Sequence, residues 1–167
     1  NMDQMNERML DFLLPPEMAK KAEEVGVAKA QMGLVKTIVL AGLAGSFIAF
    51  GAIFATTVTA GSTMSFGMTR FMGGFVFSLG LVLVIIGGAE LFTGNNLIIM
   101  AWASGKVRTV ELLRNWLLVY AGNMFGAVSI AILMFLSGQY LFGSGVVGAN
   151  VLAIAKAKSE LSFIQAV

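Results

Sequence analysis

The sequence predicts an all-α integral membrane protein, and two observations carry that prediction. Hydrophobic residues make up 57% of the 167-residue chain and charged residues only 12%, with a mean hydropathy of +0.86. That leaves too little polar surface to cover a soluble globule. The charges are also unevenly placed. No Asp, Glu, Lys or Arg lies between Lys36 and Arg70, only Glu90 lies between Arg70 and Lys106, and none lies between Arg114 and Lys156. About 20 apolar residues cross the hydrocarbon core as a helix, so each interval has room for one span.

Residues 1–36 are expected to form an N-terminal segment outside the bilayer. Its LLPPEMAKKAEEVGVAKAQM stretch has helical composition, with Pro16 in the first turn and an interrupted apolar stripe through Met18, Ala22 and Val25. This helix reads as amphipathic and resting at the membrane interface, or else as a solvated lead-in. The opening residues lack the pattern of a cleaved signal peptide.

Residues 37–167 are expected to form the membrane domain. The first span, about 37–59, carries Gly42, Gly45, Ser46, Ala49 and Ala52 at three- and four-residue spacing. Such small residues let membrane helices approach closely, so this face should pack on protein. The second passage covers about 70–102. The third span, about 115–137, follows a polar segment GKVRTVELLRN, and a glycine-rich external loop over 138–160 follows the third span. The final LSFIQAV reads as the start of a further span. Trp102, Trp116 and Tyr120 fit interfacial anchor positions.

Loop charges set the orientation. Arg8, Lys20, Lys21, Lys29 and Lys36 precede the first span, and Lys106, Arg108 and Arg114 lie between the second and third. Against those eight stand Arg70, Lys156 and Lys158. The positive-inside rule then places the N terminus in the cytoplasm.

The second passage is interrupted by GGAELFTGNNL, residues 87–97. A carboxylate at the centre of a spanning helix costs about 2.5–3.5 kcal/mol on insertion scales, so Glu90 should face protein or water. Gly94, Asn95 and Asn96 are poor helix formers. Together with Glu90 they predict a helix broken near 90–96, tolerated at bilayer depth only where it is buried in protein or lines a cavity. A break also frees backbone N–H groups that can favour an anion, with the Thr93 hydroxyl as a further donor. Asn95 and Asn96 suit either a cap or a solute contact. A second reading stays open, in which the span ends at Ala89 and Gly-Asn-Asn is an ordinary loop. The two differ over Leu97–Trp102, which lies in the membrane in the first and on the surface in the second.

The chain has no cysteine and no histidine, which removes disulfides, thiolate metal sites and the commonest general base. No nucleophile–base pair, carboxylate dyad or phosphate loop is present. Neither an enzyme, a metal, a cofactor nor a nucleic-acid partner is expected.

GGAELFTGN, the upstream FSLGLVLV, the downstream Ala103–Lys106 element, and Arg114-Asn115-Trp116 followed by Val119, Tyr120, Gly122 and Asn123 together resemble the formate/nitrite transporter family. LLPPEMAKKAEEVGVAK resembles its formate channel branch. The resemblance implies an aquaporin-like protomer of two inverted halves, each with a broken helix, assembled as a pentamer in the bacterial cytoplasmic (inner) membrane. Each subunit would pass a small monovalent anion: formate first, nitrite or hydrosulfide as alternatives. It implies apolar constrictions at Phe77, Leu81 and Leu91, with Leu81 and Leu91 at opposite ends of the narrow region. Thr93 would line the pore and Lys29 would serve the cytoplasmic vestibule. Glu90 is expected to hold the break, because a fixed negative charge would repel the anion. The family's second half, with its central histidine, has no counterpart here, so the chain reads as the first repeat and the start of the second. An aquaporin-type neutral-solute channel and a non-conducting oligomeric scaffold are the readings from other classes.

Overall fold

The computed structural model describes residues 14–166, so the start of the N-terminal segment, with Arg8, lies outside the described residues. It is helical, and no strand occurs among the described residues. In chain order the helices are α1 (Pro15–Ala30), α2 (Leu34–Thr59), α3 (Phe66–Ile86), α4 (Phe92–Asn95), α5 (Ile98–Ala103) and α6 (Thr109–Leu136). A 3-10 turn at Gln139–Leu141, α7 (Val146–Ser159) and α8 (Phe163–Ala166) follow. Helices α2, α3 and α6, of 26, 21 and 28 residues, are long and apolar enough to cross a membrane. At 1.5 Å per residue even α3 covers about 30 Å of hydrocarbon. Large side chains such as Phe75, Ile86 and Leu117 are exposed on the chain, a surface that lipid or further protein would cover.

Helix α2 is the centre of the bundle and packs on α6 and α3. Ala41 and Ala44 are fully buried there. Contact with α6 is backbone to backbone: a Cβ on Gly45 would lie 2.0 Å from the Asn123 carbonyl oxygen, and one on Gly126 would lie 2.0 Å from that of Gly42. The small stripe expected on α2 is therefore only partly its packing face. Gly45 is buried, whereas Ala52 is exposed.

Two expected boundaries shift. The polar segment before the third span forms, from Thr109 onward, the first turns of α6. Glu111 accepts the Arg108 backbone N–H and a guanidinium N–H, each at 2.9 Å, where a negative charge also suits the helix dipole. Leu112 is meanwhile buried against Ala30, Ile98, Ala101 and Val107. The 138–160 loop is likewise largely helical, as α7. Its Asn150 amide donates to the Thr56 carbonyl at 2.8 Å and the Thr59 hydroxyl at 3.1 Å, so part of the otherwise unpaired C-terminal end of α2 is satisfied.

Helix α1 begins with Pro15 at its first position, where a missing N–H costs nothing, and Glu17 accepts the Leu14 N–H at 3.0 Å. It docks on protein through a face other than the apolar stripe expected at the membrane interface. Gly26 and Ala30 are buried on α5, whereas Met18 and Val25 are exposed. A Cβ on Gly26 would already meet that of Ala101 at 3.1 Å, so size, not hydrophobicity, selects this face.

Glu23 clasps α1 to the turn after α5, accepting from Lys106 and, at 2.5 Å, from the Ser104 hydroxyl. The Lys106 bond, then the Ser104 bond, hold the Glu23 carboxyl below the ordinary carboxylate range. The clasp should be fully formed above the ordinary carboxylate pKa. It weakens as the pH falls below that value and is lost below the depressed folded one. Amide hydrogen exchange of α1, corrected for intrinsic rates, should show this acid loosening in the wild type and a flatter profile in Glu23→Gln.

Candidate functional site

The interruption after α3 starts earlier than the turn residues suggest. Helix α3 ends at Ile86, and Gly88 adopts a left-handed φ of +58°. The Ala89 N–H donates to the Val84 carbonyl at 3.0 Å and the Gly88 N–H to that of Ile85 at 3.2 Å. This is the Schellman arrangement that a glycine just past a helix end makes inexpensive. The chain is extended at Leu91, then resumes as α4 and, after a turn at Asn96 and Leu97, as α5. Glu90 thus lies in the break, whereas Gly94 and Asn95 are helical and Asn96 is the α4 C-cap. The Gly87-Gly88 pair ends the long helix, a few residues before the break expected near 90–96.

A buried polar network surrounds the Glu90 side chain, which is 3% exposed as a residue. One carboxylate oxygen accepts from Lys29 Nζ at 2.5 Å and the other from the Asn95 amide at 2.7 Å. Asn95, fully buried, also donates to Asn115 Oδ1 at 2.9 Å and accepts from Lys29 Nζ at 3.2 Å. Asn115 donates to the Lys29 carbonyl at 3.1 Å, and the Trp116 indole donates to the Asn95 carbonyl at 3.1 Å. Every fully buried side-chain N or O among the described residues has a partner. Buried charge is tolerable on those terms.

Three of the residues singled out from the sequence have partners that it did not show. Lys29 is paired with Glu90 at 2.5 Å, and 24% of its side chain stays exposed. Asn95 is buried, and its side-chain amide already has partners in Glu90, Asn115 and Lys29. Trp116 is a structural donor and an edge-on neighbour of Phe92, and not simply an interfacial anchor.

Beside this network lies an open cavity of about 290 Å³, lined by Lys29, Leu81, Leu91, Thr93, Gly94 and Asn95, among others. It brings together most of the residues singled out from the sequence. Phe77 is separated from them: it lines a different cavity of about 350 Å³, with Arg70, Thr59 and Thr69. Of the N–H groups freed by the break, that of Phe92 is already taken, donating to Asn123 Oδ1 at 2.9 Å. Sequence reasoning gave Asn115 and Asn123 no role of their own. Their signal was an amide at each of two positions in an otherwise apolar span, which in a bilayer calls for a partner.

A sequence model of the family described as formate/nitrite transporter matches residues 16–167. The chain belongs to that family. It is 49% identical over 158 residues to the formate channel FocA of Escherichia coli strain K12, covering 94% of this chain and 55% of the relative. To the formate channel FocA of Haemophilus influenzae it is 36% identical, with 92% and 55% covered. Among solved structures it is similar to a pentameric formate channel with formate bound, with a TM-score of 0.75 and 42% identity, over 79% of this chain and 52% of that one. The chain therefore spans about half the length of these members of the formate/nitrite transporter family.

Proposed function

We propose that this chain forms part of a formate channel of the bacterial inner membrane, acting as a homopentamer with the N terminus in the cytoplasm. The 49% identity to a formate channel across 94% of the chain carries this reading. The pentameric formate channel with formate bound, similar at a TM-score of 0.75, supports the assembly and the substrate. In this reading the protomer is aquaporin-like, residues 37–167 supply the first inverted repeat and the start of the second, and the helix broken after Ile86 lies at bilayer depth.

The cavity beside the break is the pore-facing surface. Leu81 and Leu91 narrow it, Phe77 narrows the same path farther along α3, and Thr93 offers a hydroxyl to the passing anion. Lys29 contributes at the mouth through its position and less through net charge, since Glu90 accompanies it. Stripping water from a carboxylate in an apolar ring is costly, so the ring discriminates by size and by how easily a solute is dehydrated.

Proteoliposome flux tests the proposal on the protein that carries this chain. Formate should follow its imposed gradient while glycerol does not pass; free glycerol passage without formate flux would replace the reading by a neutral-solute channel. Leu91→Ala should raise acetate flux relative to formate about tenfold, the usual worth of a few methyl groups at an apolar discriminating contact. Size-exclusion chromatography should show the oligomer unchanged. Unaltered flux with a collapsed oligomer would assign Leu91 to packing instead.

A further inference from the structure

We infer that Asn123 is the positioning residue that sets where Leu91 stands at the break; the inference rests on the pore reading of that cavity. Asn123 lies in the middle of α6, between Gly122 and Gly126, which let α6 approach the backbone of α2. Its Nδ2 donates to the Ala41 carbonyl and to the Glu90 carbonyl, each at 2.9 Å. Its Oδ1 accepts the Phe92 N–H at 2.9 Å. The amide therefore grips the peptide groups on both sides of Leu91 and ties them to α2. The Glu90 N–H, which donates to the Leu40 carbonyl at 3.2 Å, adds a second tie to the same helix.

The orientation of this amide is fixed by chemistry. Flipped, its oxygen would face two carbonyls and its NH2 would face an N–H. Few side chains can replace it: aspartate has the acceptor but not the donors, and serine has a single donor. An extended segment has no internal hydrogen bonds of its own, so these external ones fix its place. Leu91 is the residue between the gripped groups and the one whose side chain faces the cavity. Leu81, across the same cavity, is carried by the regular helix α3 and does not depend on Asn123.

That difference supplies a test independent of formate. The chain has no cysteine, so Leu91→Cys and Leu81→Cys each give it one reporter thiol, and any cysteine elsewhere in the protein is replaced. Reaction with a small water-soluble methanethiosulfonate is followed in the assembled protein, with and without Asn123→Ala. Losing buried hydrogen bonds on both sides of Leu91 should speed labelling at position 91 about tenfold and leave position 81 within about twofold. An unchanged rate at 91, or an equal rise at both positions, overturns the inference, because general loosening would move both.

If Asn123→Ala does not assemble, Asn123→Asp is read by the same criterion. It keeps the acceptor for Phe92 and sets a carboxylate oxygen against the two carbonyls. If neither assembles, Asn123 is a folding residue and the inference fails. Formate flux of the wild type, measured alongside, reports on the channel reading alone: its absence would remove that reading without altering the labelling result.

Discussion

Lys29→Ala is expected to destabilise the protein by about 2–4 kcal/mol and to release α1 from the break. Removing one partner of a buried ion pair typically costs about 3–5 kcal/mol, because the remaining charge is left buried and uncompensated. Glu90 is that remaining charge, 3% exposed as a residue, with only the Asn95 amide left to it. The expected figure sits lower because 24% of the Lys29 side chain reaches solvent, so part of its own desolvation was never incurred. Glu90→Gln keeps the shape and the Asn95 contact and leaves a lysine that still reaches solvent in part, at a smaller cost of about 1–2 kcal/mol.

The double variant Lys29→Ala/Glu90→Gln has neither unpaired charge, so most of the loss should be recovered, with a coupling of about 1–3 kcal/mol in the cycle. Denaturant titration of the reconstituted protein, at fixed protein and lipid, measures all three. A Lys29→Ala variant within 0.5 kcal/mol of wild type would show that the pair does not hold the break, and an additive double variant would show that the two residues act separately.

What the sequence revealed and what it hid divide along one line. Charge-free runs are local, and the three long helices follow from them directly. The interruption was legible too, because a carboxylate followed by Gly-Asn-Asn in an apolar run conflicts with a continuous membrane helix. It starts a few residues earlier than expected, at Gly87. Poor helix propensity at Gly94, Asn95 and Asn96 looked decisive, yet one helical turn needs little propensity once Asn95 is pinned on both sides. The Gly87-Gly88 pair carried the sharper signal, because a left-handed residue stops a helix outright.

Partnerships between distant residues were not legible at all. Lys29 and Glu90 are 61 positions apart, and Asn123 reaches Ala41 across 82. Nothing in spacing along a helix reports such pairs. A surface-like lysine in a short polar helix and a lone acid in an oily run each raised a question, and the fold answers both with one contact.

The helix contact beneath the break gives the second large effect. Gly45→Ala should cost about 3 kcal/mol or more, whereas Gly42→Ala, three residues earlier on the same helix, should be neutral or gain up to about 1 kcal/mol from helix propensity. A Cβ at position 45 would sit 2.0 Å from the Asn123 carbonyl oxygen and 2.8 Å from its Cα; at position 42 it would meet nothing within 4 Å. The obstacle at 45 is backbone on both sides, so no rotamer change relieves it and the helices must part by about 1 Å. Denaturant titration and the oligomer peak measure the difference, and two alanine variants within 0.5 kcal/mol of each other would refute the close contact. Parting α2 from α6 at this level also moves Asn123, and with it the peptide groups on either side of Leu91. Gly45→Ala should therefore alter Leu91→Cys labelling as Asn123→Ala does, although it touches neither the cavity nor the break.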